Sequence, residues 1–123
     1  MDISMTVLIV DDSPQVRHSL ARLLGTLRDV TVAGEAGSVW EAIEMAARTK
    51  PDAVILDIRL PGGDGFEVLR AIKKQPPAPV VLMLTNYASE PNRQKSLQEG
   101  ADYFFDKSTE FENMLEILKA ARR

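Results

Sequence analysis

Five polar side chains, scattered along the chain, stand where they could do chemistry together. Asp11 and Asp12 follow the apolar run Thr6-Val7-Leu8-Ile9-Val10, and Asp57 follows Ala53-Val54-Ile55-Leu56. Thr85 follows Val80-Val81-Leu82-Met83-Leu84, and Lys107 follows Asp102-Tyr103-Phe104-Phe105-Asp106. Three carboxylates brought close repel one another, and a hard divalent cation taking oxygen ligands relieves that repulsion most cheaply. Mg2+ suits such a place: it needs one or two protein carboxylates, keeps several waters, and shares its remaining positions with phosphate oxygens. Three aspartates and one lysine carry a net charge of -2, which a divalent ion neutralises. A site so balanced lets one carboxylate attack a phosphoryl group while metal and Lys107 stabilise charge on the equatorial oxygens.

These residues converge only if the runs that precede them are parallel strands. Runs with no polar alternation are buried on both faces, as in parallel sheets flanked by helices, and open α/β sheets collect their ligands at the carboxyl ends of the strands. Five runs alternate with amphipathic segments, the pattern of βαβ units. The spacing predicts an α/β fold, a doubly wound five-stranded parallel sheet of order 2-1-3-4-5 with its switch point between the first and third strands. Ser13-Pro14 opens a first helix with Val16, Leu20, Leu23, Leu24 and Leu27 on one face, ending near Arg28-Asp29. Val30 to Gly34 reads as an edge strand, and Ser38 with Glu41 as a capping box opening a helix from Val39 to Thr49. After the Gly-rich turn, a third helix carries Phe66, Val68, Leu69 and Ile72. Ser89 and Pro91 open a fourth helix so poor in apolar residues that it can bury only a narrow face, with Gly100 at its end. Thr109 and Glu112 read as a capping box before a last helix striped by Phe111, Met114, Leu115, Leu118 and Ala121.

Length and composition bound the reading to a single domain, residues 1–123. Apolar residues make up 45% and charged residues 27%, as in a globular protein, and the net charge of -3 gives no footprint for direct nucleic-acid binding. With no cysteine, neither a disulfide framework nor a thiolate metal site exists. No leader is evident at the N-terminus, and no apolar run is long enough to span a bilayer, so no membrane partner and a cytoplasmic protein are expected.

At this point the sequence resembles a known family, the CheY-like receiver domain of two-component response regulators. The residues that carry the resemblance are Asp11-Asp12, Asp57 within Asp57-Ile58-Arg59-Leu60-Pro61-Gly62-Gly63-Asp64-Gly65, Thr85, Gly100-Ala101-Asp102 and Lys107. It implies that Asp57 accepts a phosphoryl group from the phosphohistidine of a sensor histidine kinase or phosphotransfer protein. It implies Mg2+ bound by Asp12 directly, by Asp11 mainly through water, by Asp57, and by the backbone carbonyl of Arg59. Lys107 would pair with Asp57 and then with its phosphate, Thr85 would swing its hydroxyl onto that phosphate, and Phe104 would be the aromatic switch that follows. The readout surface would be the fourth helix, fifth strand and fifth helix, acting on a downstream protein, on an output domain, or on a second copy in a homodimer. The resemblance implies a switch rather than an enzyme, one that assists only its own phosphorylation and dephosphorylation.

The chain departs from the family at Asn86, where Ala or Gly is usual, and at Ser108, where Pro is commonest. Arg59 and Tyr87 occupy variable positions beside the acceptor. These departures sustain a second reading, a receiver-shaped interaction module that works without phosphorylation. A third, an aspartate-nucleophile phosphohydrolase of the haloacid dehalogenase class, wants a second Asp where this chain has Arg59, and a cap domain. His18 reads as a surface or partly buried residue, and Trp40 as packing.

Overall fold

The computed structural model describes residues 4–121. Met1 to Ile3, the first part of the N-terminal stretch Met1 to Met5 in which the sequence reading looked for a leader, and the terminal Arg122 and Arg123 lie outside those residues, as does the side chain of Ala121 on the last helix. In chain order the elements are β1 (Met5–Val10), α1 (Pro14–Leu24), β2 (Val30–Ala36), α2 (Val39–Thr49), β3 (Ala53–Leu56), β4 (Arg59–Leu60), β5 (Gly63–Asp64), α3 (Gly65–Lys73), β6 (Val80–Thr85), α4 (Glu90–Gln98), β7 (Tyr103–Asp106) and α5 (Phe111–Ala121). Five strands form one parallel sheet in the order β2-β1-β3-β6-β7. This is the anticipated 2-1-3-4-5 order, with β6 and β7 as its fourth and fifth members.

The unbroken apolar runs are explained by the two cores they serve. Leu8, Val10, Val54, Leu56, Val81, Met83 and Phe104 face α2 and α3, while Val7, Ile9, Ala53, Ile55, Leu82, Leu84 and Phe105 belong to the opposite core with α1 and α5. Successive strand residues point to opposite faces, so a run without polar residues is what two buried faces require. Each Leu or Ile buried here contributes about 1.5–3 kcal/mol, which sets the sheet's position and therefore the position of whatever follows its strands.

Several boundaries differ from the sequence expectation. Helix α1 ends at Leu24, four or five residues early, because Gly25 caps it and Thr26 donates both its N–H (3.1 Å) and its hydroxyl (2.6 Å) to the Leu23 carbonyl. Leu27 still packs on the α1 and α5 core, because the turn folds it back, whereas Leu23 is 39% exposed. Strand β2 runs two residues beyond Gly34, with a register shift between the Val7–Val32 and Leu8–Gly34 pairs. The Ser38–Glu41 box is only half formed: Ser38 accepts from the Glu41 N–H, but the Glu41 carboxylate reaches the Gly37 N–H at 2.8 Å. Thr109 and Glu112 make no box, since Ser108 and Thr109 turn back onto the Asp106 carboxylate and Glu110 accepts from the Asp106 N–H. Trp40, expected in packing, is 69% exposed, because Val39, Ala42 and Ala46 take the buried face of α2.

The Gly-rich turn after Asp57 is a short antiparallel hairpin, β4 with β5, unforeseen from sequence. Asp64 then caps α3 in a full reciprocal box with Glu67. Gly65 is required by space: a Cβ there would lie 2.1 Å from the backbone carbonyl oxygen of Asp57. The loop thus folds tightly over the backbone of Asp57. Helix α4 buries only Ser96, in line with its expected narrow face, and among the described residues the Ser96 hydroxyl is the one buried side-chain polar atom with no hydrogen-bond partner. No helix among the described residues is long and apolar enough to cross a membrane.

Candidate functional site

The sheet's hydrogen-bond ladder continues past the strand ends and fixes the backbone of the polar residues. Asp11 N–H donates to the Ala36 carbonyl (3.1 Å), Asp57 N–H to that of Val10 (3.1 Å), and Lys107 N–H to that of Thr85 (2.9 Å). Asp11, Asp57 and Thr85 are buried, Lys107 is half-buried and Asp12 is exposed. The five residues named at the outset therefore gather at one edge of the sheet.

Lys107 stands at the centre. Its Nζ donates to Asp11 Oδ2 at 2.6 Å and to Asp57 Oδ2 at 2.9 Å. Each carboxylate has one further donor, Ser13 N–H on Asp11 Oδ1 (2.9 Å) and Ile58 N–H on Asp57 Oδ1 (2.6 Å). Burial would push the Lys107 pKa down, but the hydrogen bonds and charges of Asp11 and Asp57 together outweigh it and hold it above the usual lysine value. Asp106, beside the site, is held below the usual carboxylate value by the Ser108 hydroxyl and N–H, with Thr109 adding to the effect.

One carboxylate oxygen from each of Asp11, Asp12 and Asp57 lies within 4.8 Å of the others. Among the described residues no donor engages the Asp12 side chain. An all-oxygen donor set, two members buried and one open to solvent, fits a hard divalent cation that keeps much of its water. Arg59, whose backbone carbonyl was expected among the ligands, follows Asp57 by two residues and lines with Asp12, Pro61 and Asp64 an open depression beside the carboxylates. Its guanidinium lies 4.3 Å above the Tyr87 ring. Tyr87 itself lines a second depression, with Asn86, Ser89, Asn92 and Asp106.

Thr85 Oγ1 accepts the Tyr87 N–H at 3.1 Å, and Phe104 is buried in the core facing α2 and α3. The peptide between Lys107 and Ser108 is trans, the cis bond of the described residues being Pro76–Pro77. His18 is exposed, as anticipated.

The sequence profile of the response regulator receiver domain matches residues 7–119. The chain belongs to this family. It is a receiver domain of a two-component system, with the CheY-like fold. It is 33% identical over 120 residues to the response regulator protein VraR of Staphylococcus aureus, covering 98% of this chain and 57% of VraR. The chain thus spans little more than half the length of that curated relative. Among solved structures it is similar to the response regulator domain of Thermotoga maritima CheB (TM-score 0.88, 29% identity, 97% of this chain and 96% of that one). It is also similar to the BeF3-activated N-terminal receiver domain of Klebsiella pneumoniae RstA (TM-score 0.85, 35% identity, 96% and 98%).

Sequence reasoning passed over two participants of this receiver's site: Arg17 donates to the Asp11 carbonyl, and Glu35 pairs with Arg17. Gly65 stood in the quoted motif without a role, and the structure supplies one, since only a residue without a Cβ leaves room for the Asp57 carbonyl. Only Arg17 had a readable signal, a cation in the early turns of a helix where the dipole disfavours it.

Proposed function

We propose that this receiver is switched by phosphorylation of Asp57 with Mg2+ held by Asp11, Asp12, Asp57 and the Arg59 carbonyl. The observation that carries the reading is the Lys107 ammonium shared between Asp11 and Asp57, within a carboxylate cluster spanning 4.8 Å. An Asp57 oxygen attacks the phosphorus of a phosphohistidine on a histidine kinase or phosphotransfer protein; the O–P bond forms and the P–N bond breaks. The cation supplies charge neutralisation at the transferring oxygens. Lys107, already charged and aimed at Asp57, moves onto the new phosphoryl oxygens, which leaves Asp11 one donor fewer. Thr85 exchanges its contact with the Tyr87 N–H for a hydrogen bond donated to the phosphate, and Phe104 follows into the space vacated.

Phosphorylation adds roughly one unit of negative charge and new acceptors, and the surface that reports it is α4, β7 and α5. Helix α4 is suited to shift because so little of it is buried. That face then engages a downstream protein, an output domain or a second copy of the chain, and the protein turns over nothing besides its own phosphoryl group. Intact mass after incubation with Mg2+ and acetyl phosphate tests this. One added phosphoryl group, absent in Asp57→Asn and abolished by chelator, is expected. No gain from any donor, a kinase included, would overturn it and leave an interaction module that works without phosphate.

A further inference from the structure

Arg17 lies four residues past the N-cap Ser13 of α1. A cation in the early turns of a helix meets the positive end of the dipole, so its position needs another explanation. Its Nη1 donates to the backbone carbonyl of Asp11 at 2.7 Å, and its Nε to Glu35 Oε1 on β2 at 3.2 Å. Only 18% of the Arg17 side chain and 27% of the Glu35 side chain are exposed. Gly37 leaves the space the guanidinium needs, since a Cβ there would stand 2.8 Å from Arg17 Nη1. The Asp11 backbone is thus held on both sides, its N–H by the Ala36 carbonyl and its carbonyl by an arginine anchored to the same strand.

The carbonyl of Asp11 and the N–H of Asp12 belong to one rigid peptide plane. Asp11 has other restraints, from Lys107 and from the Ser13 N–H. Asp12 is exposed and, among the described residues, no donor engages its carboxylate, so that plane, which places the Asp12 backbone from which the side chain extends, is its principal restraint. We propose that Arg17 is a positioning residue for the acidic site, fixing the peptide plane from which Asp12 reaches a divalent cation. The inference rests on the reading of Asp11, Asp12 and Asp57 as the Mg2+ site.

Charge alone gives the opposite sign. Arg17 puts a cation near a cation site, so removing it would tighten Mg2+ binding if charge were its role. Titration calorimetry of the full chain with Mg2+ alone separates the two. Arg17→Met keeps the stem and loses every donor; it is expected to weaken Mg2+ binding by about tenfold, the low end for losing a group that orients a metal ligand. Arg17→Lys, with a donor restored, should recover part of the loss. In metal-free protein, nitrogen relaxation at the Asp12 amide should show greater motion in Arg17→Met and in Glu35→Gln, which frees the anchor. Equal or tighter Mg2+ binding by Arg17→Met, or an Asp12 amide as rigid as in the wild type, overturns the role of Arg17 while the metal site stands. A wild type that takes up no Mg2+ overturns the metal site and this inference with it.

Discussion

Replacing Lys107 with Met keeps most of the side-chain length and removes the charge at the centre of the site. The ammonium lies 2.6 Å from Asp11 and 2.9 Å from Asp57, and the three side chains are 16%, 4% and 7% exposed, so little water can take its place. Stranding a buried ionic partner costs about 3–5 kcal/mol. Here each carboxylate keeps one backbone N–H, from Ser13 or Ile58, which places the expected loss near the lower end, about 3 kcal/mol by urea unfolding in chelator. The same substitution leaves the cluster one unit more negative, so a divalent cation at the proposed site should bind more tightly. A tenfold gain in affinity at saturating metal returns about 1.4 kcal/mol through linkage. The deficit of Lys107→Met should therefore be visibly smaller in Mg2+ than in chelator. Full wild-type stability in chelator, or a deficit that Mg2+ leaves unchanged, would refute the reasoning that Lys107 is the cluster's counter-charge.

Lys107 also makes an alkaline prediction. Its folded pKa lies above the ordinary 10.5, so its contribution is complete below 10.5 and is lost as pH rises through the folded value, where the unfolded chain has already released the proton; wild-type stability should fall more steeply above that pH than that of Lys107→Met. Gly65→Ala would press a Cβ on the Asp57 carbonyl, with backbone atoms of Asp57 and Ile58 at 2.1–3.0 Å. A loss of about 1–3 kcal/mol is expected in thermal or urea unfolding, and a change under about 0.5 kcal/mol would contradict the close approach. Ser96→Ala removes a buried hydroxyl that has no partner and should raise stability by about 1 kcal/mol; a loss would mean that the hydroxyl is satisfied in solution.

The strands were legible because Leu8, Val54, Leu82 and their neighbours fill two cores at once, a demand that forbids polar alternation. Their carboxyl ends were legible for the same reason, and with them Asp11, Asp12, Asp57, Thr85 and Lys107. What the periodicity could not carry was tertiary accommodation. Leu27 continues the helical spacing of α1 from outside the helix, because a turn and not another helical residue brings it back to the core. The two-residue strands β4 and β5 are too short to show any period. Trp40 was misjudged by residue type alone, since the buried face of α2 was already filled. The pairing of Arg17 with Glu35 depends on where the irregular register of β2 brings that glutamate, which no local pattern encodes.

The N–H of Lys107 donates to the carbonyl of Thr85, so counter-charge and hydroxyl hang from the two ends of a single rung between β6 and β7. That rung aligns their backbones, and the segment that joins them in sequence touches the hydroxyl through the Tyr87 N–H at its start. Rewriting the exposed positions of α4 while sparing Tyr87 and Ser96 therefore leaves that alignment in place. One constraint survives every such rewriting: the chain must return to β6 in the same register.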